Sequence, residues 1–137
     1  MPTVQKSLRM PEKVIKEIEE LAKKSRKDFT TVANELLEEA IKVNRCPGIV
    51  FTEGVSGKRA RIGGTGIEVW EVIATYRSVD KDFKRLKKSY HWLTEQQLRA
   101  ALGYYKLYTK EIDAIIAENE GWAPDEVQKR YPLLAAG

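Results

Sequence analysis

The chain has 137 residues and a formal net charge of +4, with an isoelectric point near 9.1. Its length allows one domain or two small ones, and its mild basic excess suits a polyanionic partner without requiring one. Cys46 is the single cysteine and His91 the single histidine, so neither an intrachain disulfide nor a Cys/His zinc site can be built from one chain. The N-terminus lacks the apolar core of a signal peptide, and no segment approaches the roughly 20 apolar residues that span a bilayer. A soluble cytoplasmic protein with no membrane association is expected.

Thr3 to Met10 alternates with period two, so Gln5, Ser7 and Arg9 share one face of a strand while Val4, Leu8 and Met10 share the other, with Lys6 intruding on the apolar side. Pro11 ends the strand and opens a helix, where its fixed φ and missing N–H are tolerated. Val14, Ile15, Ile18, Leu21 and Ala22 form an apolar stripe along that helix. After the turn Ser25 to Thr30, a second stripe follows with Val32, Ala33, Leu36, Leu37, Ala40 and Ile41. One strand and two helices cannot hide this much apolar surface, and a lone strand leaves its ladder groups unpaired. Two copies pairing their strands antiparallel would solve both problems, so a homodimer is expected.

Cys46-Pro47-Gly48 marks a break, after which the sequence turns β-like and glycine-rich. Cys46 beside this linker reads as an incidental thiol. Ile49 to Phe51 and Ala60 to Ile62 predict two strands, joined through Gly54 and Gly57. Gly63-Gly-Thr-Gly66 lacks the spacing and the Lys-Ser/Thr ending of a phosphate loop, which leaves a tight strand-to-helix corner. Helices are predicted over 69–76 and 82–88. The next helix start is the clearest in the chain: Thr94 and Gln97 have capping-box spacing, with Leu93 and Leu98 placed as a hydrophobic staple. Leu98, Ala101, Leu102 and Tyr105 supply its buried stripe. Thr109 is placed to cap a last helix, from Lys110 to about Asn119, with Ile112, Ile115 and Ile116 inward. Beyond it Val127, Tyr131 and Leu134 have rough helical spacing, consistent with an amphipathic tail that packs back, wraps a partner or stays disordered.

Two stretches could meet nucleic acid besides the strand. Arg77, Lys81, Lys84, Arg85, Lys87 and Lys88 form the densest basic run, facing only Asp80 and Asp82; a solvated helix face or a phosphate-binding one explains it equally well. The helices flanking Tyr90 to Thr94 have helix-turn-helix proportions, but the exposed Glu95 of the second would meet phosphates unfavourably. Trp70, Tyr90, Trp92, Tyr104, Tyr105 and Tyr108 read as core or interface anchors.

Residues 3 to 45 resemble the ribbon-helix-helix superfamily of repressors and antitoxins, on Val-Gln-Lys-Ser-Leu-Arg-Met-Pro followed by two amphipathic helices. Residues 47 to about 119 are similar to the bacterial uncharacterised-domain family numbered 433, a small helix-turn-helix-like domain, on Pro-Gly-Ile-Val-Phe51, Gly64-Thr-Gly-Ile-Glu-Val-Trp70, Trp92-Leu-Thr-Glu-Gln-Gln-Leu-Arg-Ala-Ala-Leu-Gly-Tyr-Tyr105 and Glu111-Ile-Asp113. Many members read Gly-Thr-Arg-Ile-Pro-Val where this chain has Gly66 and Glu68, so that arginine's role does not carry over. Together the resemblances imply a mainly α architecture: an intertwined ribbon-helix-helix dimer over 1–45, a small helical domain with a short β-hairpin over 46–119, and a tail over 120–137.

They also imply a DNA-binding antitoxin that represses its own operon and neutralises a PIN-like ribonuclease toxin. Gln5, Ser7 and Arg9 fall on the base-reading strand positions, where Gln5 can pair with adenine and Arg9 with guanine in the major groove of operator DNA. Thr31 and Val32 fall at the phosphate-anchoring start of the second helix, whose Val32 and Ala33 amides would clamp a phosphate. Lys27 and Arg26 would add long-range attraction. The aromatic residues of the second domain would hold the toxin. The alternative is a stand-alone transcriptional regulator with a C-terminal dimerisation or ligand-sensing domain. An enzyme is not expected, since His91 has no evident nucleophile partner and no paired-carboxylate or metal-ligand spacing stands out; no cofactor or metal is implied.

Overall fold

The computed structural model describes residues 2–53 and 58–120. The expected Gly54 and Gly57 turn and the amphipathic segment with Val127, Tyr131 and Leu134 lie outside the described residues. The chain divides into two compact units, Met1–Asn44 and Arg45–Gly137. The mainly helical class expected from the sequence holds: helices α1 (Glu12–Ser25), α2 (Phe29–Arg45), α3 (Val69–Ser78), α4 (Phe83–Ser89), α5 (Glu95–Leu107) and α6 (Thr109–Glu120) accompany a hairpin of β1 (Ile49–Thr52) and β2 (Arg59–Ile62). No described helix is long and apolar enough to cross a membrane.

In the first unit, Pro11 stands at the N-cap of α1, and its carbonyl accepts from Ile15 N. The helix closes with Arg26 in the left-handed region at φ 57°. Lys27 N donates to Ala22 O at 3.0 Å and Arg26 N donates to Lys23 O at 3.4 Å, the two bonds of a Schellman stop. Glycine is the usual residue at that position, because a Cβ crowds the backbone there. Asp28 then starts α2 by accepting from Thr31 N at 2.7 Å, which draws its carboxyl below the usual range through the bonds from Thr31. This helix therefore begins at Phe29, inside the stretch expected as a turn, because Asp28 is the better-placed acceptor.

The packing of this unit is half finished. Ile18, Ala22 and Val32 are buried, with Met10, Phe29, Ala33 and Leu36 packed against them. Val14, Leu21, Leu37, Ile41 and Val43 remain exposed on the same two helices. Residues 2–11 form no strand within the single chain, where the alternation of Thr3 to Met10 predicts one.

The second unit has a closed core. In the hairpin Ile49 pairs with Ile62 and Phe51 with Ala60, and the alternation buries Ile49, Ala60 and Ile62 together. The glycine corner after β2 turns through Gly64 and Gly66 at φ 77° and 73°, tied by Thr65, whose hydroxyl donates to Ile62 O and accepts from Ile67 N. The central helix α3 packs on α4, α5, α6 and β2, with Val69, Val72 and Ile73 buried. Asp82 caps α4 by accepting from Lys84 N and Arg85 N. The capping box at α5 is formed as expected: Gln97 N donates to Thr94 Oγ1 and Thr94 N donates to Gln97 Oε1, while Leu93 and Leu98 are both buried.

Two local expectations are corrected. The buried stripe of α5 is Leu98, Ala101 and Tyr104, with Leu102 and Tyr105 at its margins. Thr109 does not cap α6; its hydroxyl donates back to Tyr105 O at 2.7 Å and closes α5 instead. Arg26→Gly should raise the stability of the first unit by about 1 kcal/mol by removing the left-handed penalty, measured by denaturant unfolding at fixed protein concentration; an unchanged or lower midpoint would contradict the strained stop.

Candidate functional site

Gln5, Ser7 and Arg9 lie on the exposed N-terminal arm. On the same arm Val4 is 84% exposed and Leu8 69%. An apolar residue so exposed loses the roughly 1.5–3 kcal/mol that full burial of its side chain contributes. The arm thus carries an exposed polar set, Gln5, Ser7 and Arg9, beside the exposed apolar Val4 and Leu8.

The phosphate clamp expected at Val32 and Ala33 is not formed there. Val32 N donates to Asp28 O at 3.2 Å, its side chain is buried, and Ala33 lies one residue deeper in α2. The helix-end amides belong to Phe29, Thr30 and Thr31, and Thr31 N is already satisfied by the Asp28 carboxylate. An acidic cap at that end opposes a phosphate rather than welcoming it. Lys27 is also reassigned: its Nζ donates to both carboxylate oxygens of Glu35, at 2.9 and 3.2 Å, so its charge is matched within the unit.

The aromatic residues of the second unit separate into two groups. Tyr104 is fully buried, its hydroxyl donates to Glu111 Oε2, and its ring stacks on Tyr108 with centroids 4.7 Å apart. Burial first, and then the bond to Glu111, push its phenol far above the usual range. It cannot meet a partner, which corrects its placement among the partner-binding residues. Tyr105 is half-buried and held in a three-way contact, donating to Asp113 and accepting from Arg77, both at 2.8 Å. Trp70 and Tyr108 pack against the core.

Trp92 is the opposite case. It is 60% exposed on the turn between α4 and α5, where it meets Tyr90 and His91 edge-on at 5.6 and 5.0 Å. Tyr90 is half-buried, shares a hydrogen bond with Thr75, and holds the indole from below. Leu107, which the sequence did not single out, is also exposed.

A polar cluster sits where β2 meets α3. Glu68 N donates to Glu71 Oε2 at 2.8 Å, and burial pushes the Glu71 carboxyl up while that N–H pulls it back. Arg59 pairs with Glu68 at 3.8 Å and with Glu118 at 3.4 Å. Arg61 Nε, Glu68 Oε1 and Trp70 Nε1 are buried without a hydrogen bond among the described residues. On the candidate recognition helix, Arg99 is tied to Glu95 at 2.9 Å and lies over the Phe83 ring at 4.4 Å, so this cation is engaged within the fold. No group of three or more His, Cys, Asp or Glu able to hold a metal occurs among the described residues, and Cys46 is buried, its thiol pushed up by desolvation.

Residues 49–105 match the family model described as a protein of unknown function (DUF433), so the resemblance expected for the second unit holds over that stretch. No curated protein and no solved structure matches the chain.

The division of the aromatic residues has a direct consequence. Tyr104→Ala should destabilise the second unit by about 3–5 kcal/mol, as large core truncations do, while Trp92→Ala should stay within about 0.5 kcal/mol as a surface change. Thermal unfolding of the two variants checks this; comparable losses would show that Trp92 is a core residue.

Proposed function

We propose that the protein is a homodimeric DNA-binding antitoxin that represses its own operon and neutralises a PIN-like ribonuclease. The observation that carries this reading is the exposed apolar side chains of the first unit, Val14, Leu21, Leu37 and Ile41 on the helices and Val4 and Leu8 on the arm. A second copy covers these side chains if the two arms pair antiparallel and the helices close over them. The polar row of each arm then meets that of its mate, and Gln5, Ser7 and Arg9 form one doubled reading surface that fits a major groove.

The toxin half of the proposal rests on the resemblance of the second unit and on Trp92. An exposed indole buttressed by a second ring is the kind of rigid anchor on which protein interfaces concentrate their energy.

Leu8→Glu should abolish dimerisation and operator binding together, because a charge would be buried in the ribbon core. Arg9→Ala should keep the dimer but cost roughly 1–3 kcal/mol per half-site and relax sequence preference. Trp92→Ala should lose about 2 kcal/mol or more of toxin affinity with operator binding intact. Sedimentation, operator titration and calorimetry with a candidate PIN-like ribonuclease read these outcomes; a Leu8→Glu protein that still binds operator as a dimer would defeat the ribbon.

A further inference from the structure

The six cations from Arg77 to Lys88 are treated unequally by the fold. Arg77 is held by Tyr105 and Asp113, and Arg85 pairs with Asp80 at 3.3 Å. Lys87 directs its Nζ to the backbone carbonyl of His91 at 3.4 Å, an uncharged acceptor that leaves its charge in place. Lys81, Lys84 and Lys88 are exposed, and their ammonium groups have neither an ion pair nor a hydrogen bond among the described residues. Asp82 supplies the nearest carboxylate in the run, and it is committed to the amides of Lys84 and Arg85.

Geometry gathers the uncompensated charges. At about 100° per residue, positions 84, 87 and 88 fall within roughly 100° of arc on α4, while Leu86 is turned into the core. Lys81 stands just before this face, in a turn where Asp80 and Lys81 both take positive φ, 56° and 58°.

We propose that this lysine face, Lys84, Lys87 and Lys88 with Lys81 at its edge, binds the phosphate backbone of duplex DNA without reading sequence. The choice of duplex DNA rests on the reading of the ribbon given above; the charged face itself does not. Lysine is a point charge on a flexible stem, suited to phosphate but carrying no fork geometry, so it adds affinity and no base preference. The two arginines of the run, which could have supplied a fork, are both used internally. A protein partner is disfavoured because interfaces are depleted in lysine. An amphipathic membrane-surface helix requires a row of apolar side chains beside its cations, whereas on α4 Leu86 is buried and Phe83 lies under Arg99, leaving only the single ring of Trp92 on the following turn.

The test uses the full chain, a random-sequence duplex and a duplex from the promoter of its own gene, titrated over a salt series. Lys84→Gln/Lys88→Gln should reduce the salt slope by about two units per copy and weaken both duplexes by the same factor, and Lys84→Arg/Lys88→Arg should restore both. Lys81→Gln, which lies outside any helix, should act in the same direction by about one unit, so a perturbed α4 cannot imitate the result. Wild-type slope and affinity in these glutamine variants overturns the inference, and if Arg9→Ala still loses promoter preference the ribbon reading survives alone. Reduced slopes with no effect of Arg9→Ala leave the lysine face standing and the ribbon reading failed. Absence of binding to either duplex defeats both. Capture on vesicles of equal parts phosphatidylserine and phosphatidylcholine, lost in the glutamine variants while DNA binding is unchanged, would assign the face to a membrane and overturn the inference.

Discussion

Apolar burial that one copy cannot complete is the constraint on which the first unit depends. Two helices closed by a Schellman stop and an Asp28 cap bring Ile18, Ala22 and Val32 together, and there the core ends. Units of roughly 40 residues bury too small a share of their surface to stand alone and usually borrow stability from a disulfide, a metal or another chain. Cys46, the single cysteine, is buried in the second unit, and the stabilising element we propose for the first unit is a second copy of the chain. The same constraint gives the N-terminal arm its role, because its apolar and polar rows alternate and covering one necessarily presents the other.

The second unit solves its burial problem internally. The hairpin, α3 and α5 enclose a core that includes Tyr104, whose hydroxyl finds Glu111 and so avoids the cost of a buried unpaired group. Because the core is complete, what remains on the surface is free to serve partners: an indole at Trp92 and a row of lysines on α4. These differ in chemistry, one suited to a protein interface and the other to phosphate, and they lie on opposite sides of the same short turn in sequence.

Much of this was legible in the sequence where a local rule and a tertiary need coincide. Thr94 and Gln97 cap α5 because their side chains fit that spacing in any fold, and the two strands expected at Ile49 to Phe51 and Ala60 to Ile62 pair as a hairpin. The failures share a cause. Thr109 is expected to cap α6, yet its hydroxyl has an equally local acceptor behind it at Tyr105 O. Thr31 and Val32 are expected at the start of α2 from the family resemblance, while the Asp28 carboxylate starts the helix earlier. Tyr104 is placed with Tyr105 and Tyr108 among the partner-binding residues because three tyrosines in five positions share no single helical face, and spacing alone cannot say which one points to α6. Which lysines of the basic run stay uncompensated also depends on long-range partners: Asp113 lies 36 residues from Arg77.

The central claim is that the arm of one copy pairs with that of another, and amide hydrogen exchange along residues 3–10 tests it most directly. Within a single chain no backbone hydrogen bond engages these amides among the described residues, so any protection there must come from a partner. The account predicts that these amides are protected, and that protection rises with protein concentration in step with dimer formation. Exchange at the rate of an unstructured peptide, at concentrations where the protein is folded and binds DNA, would contradict it.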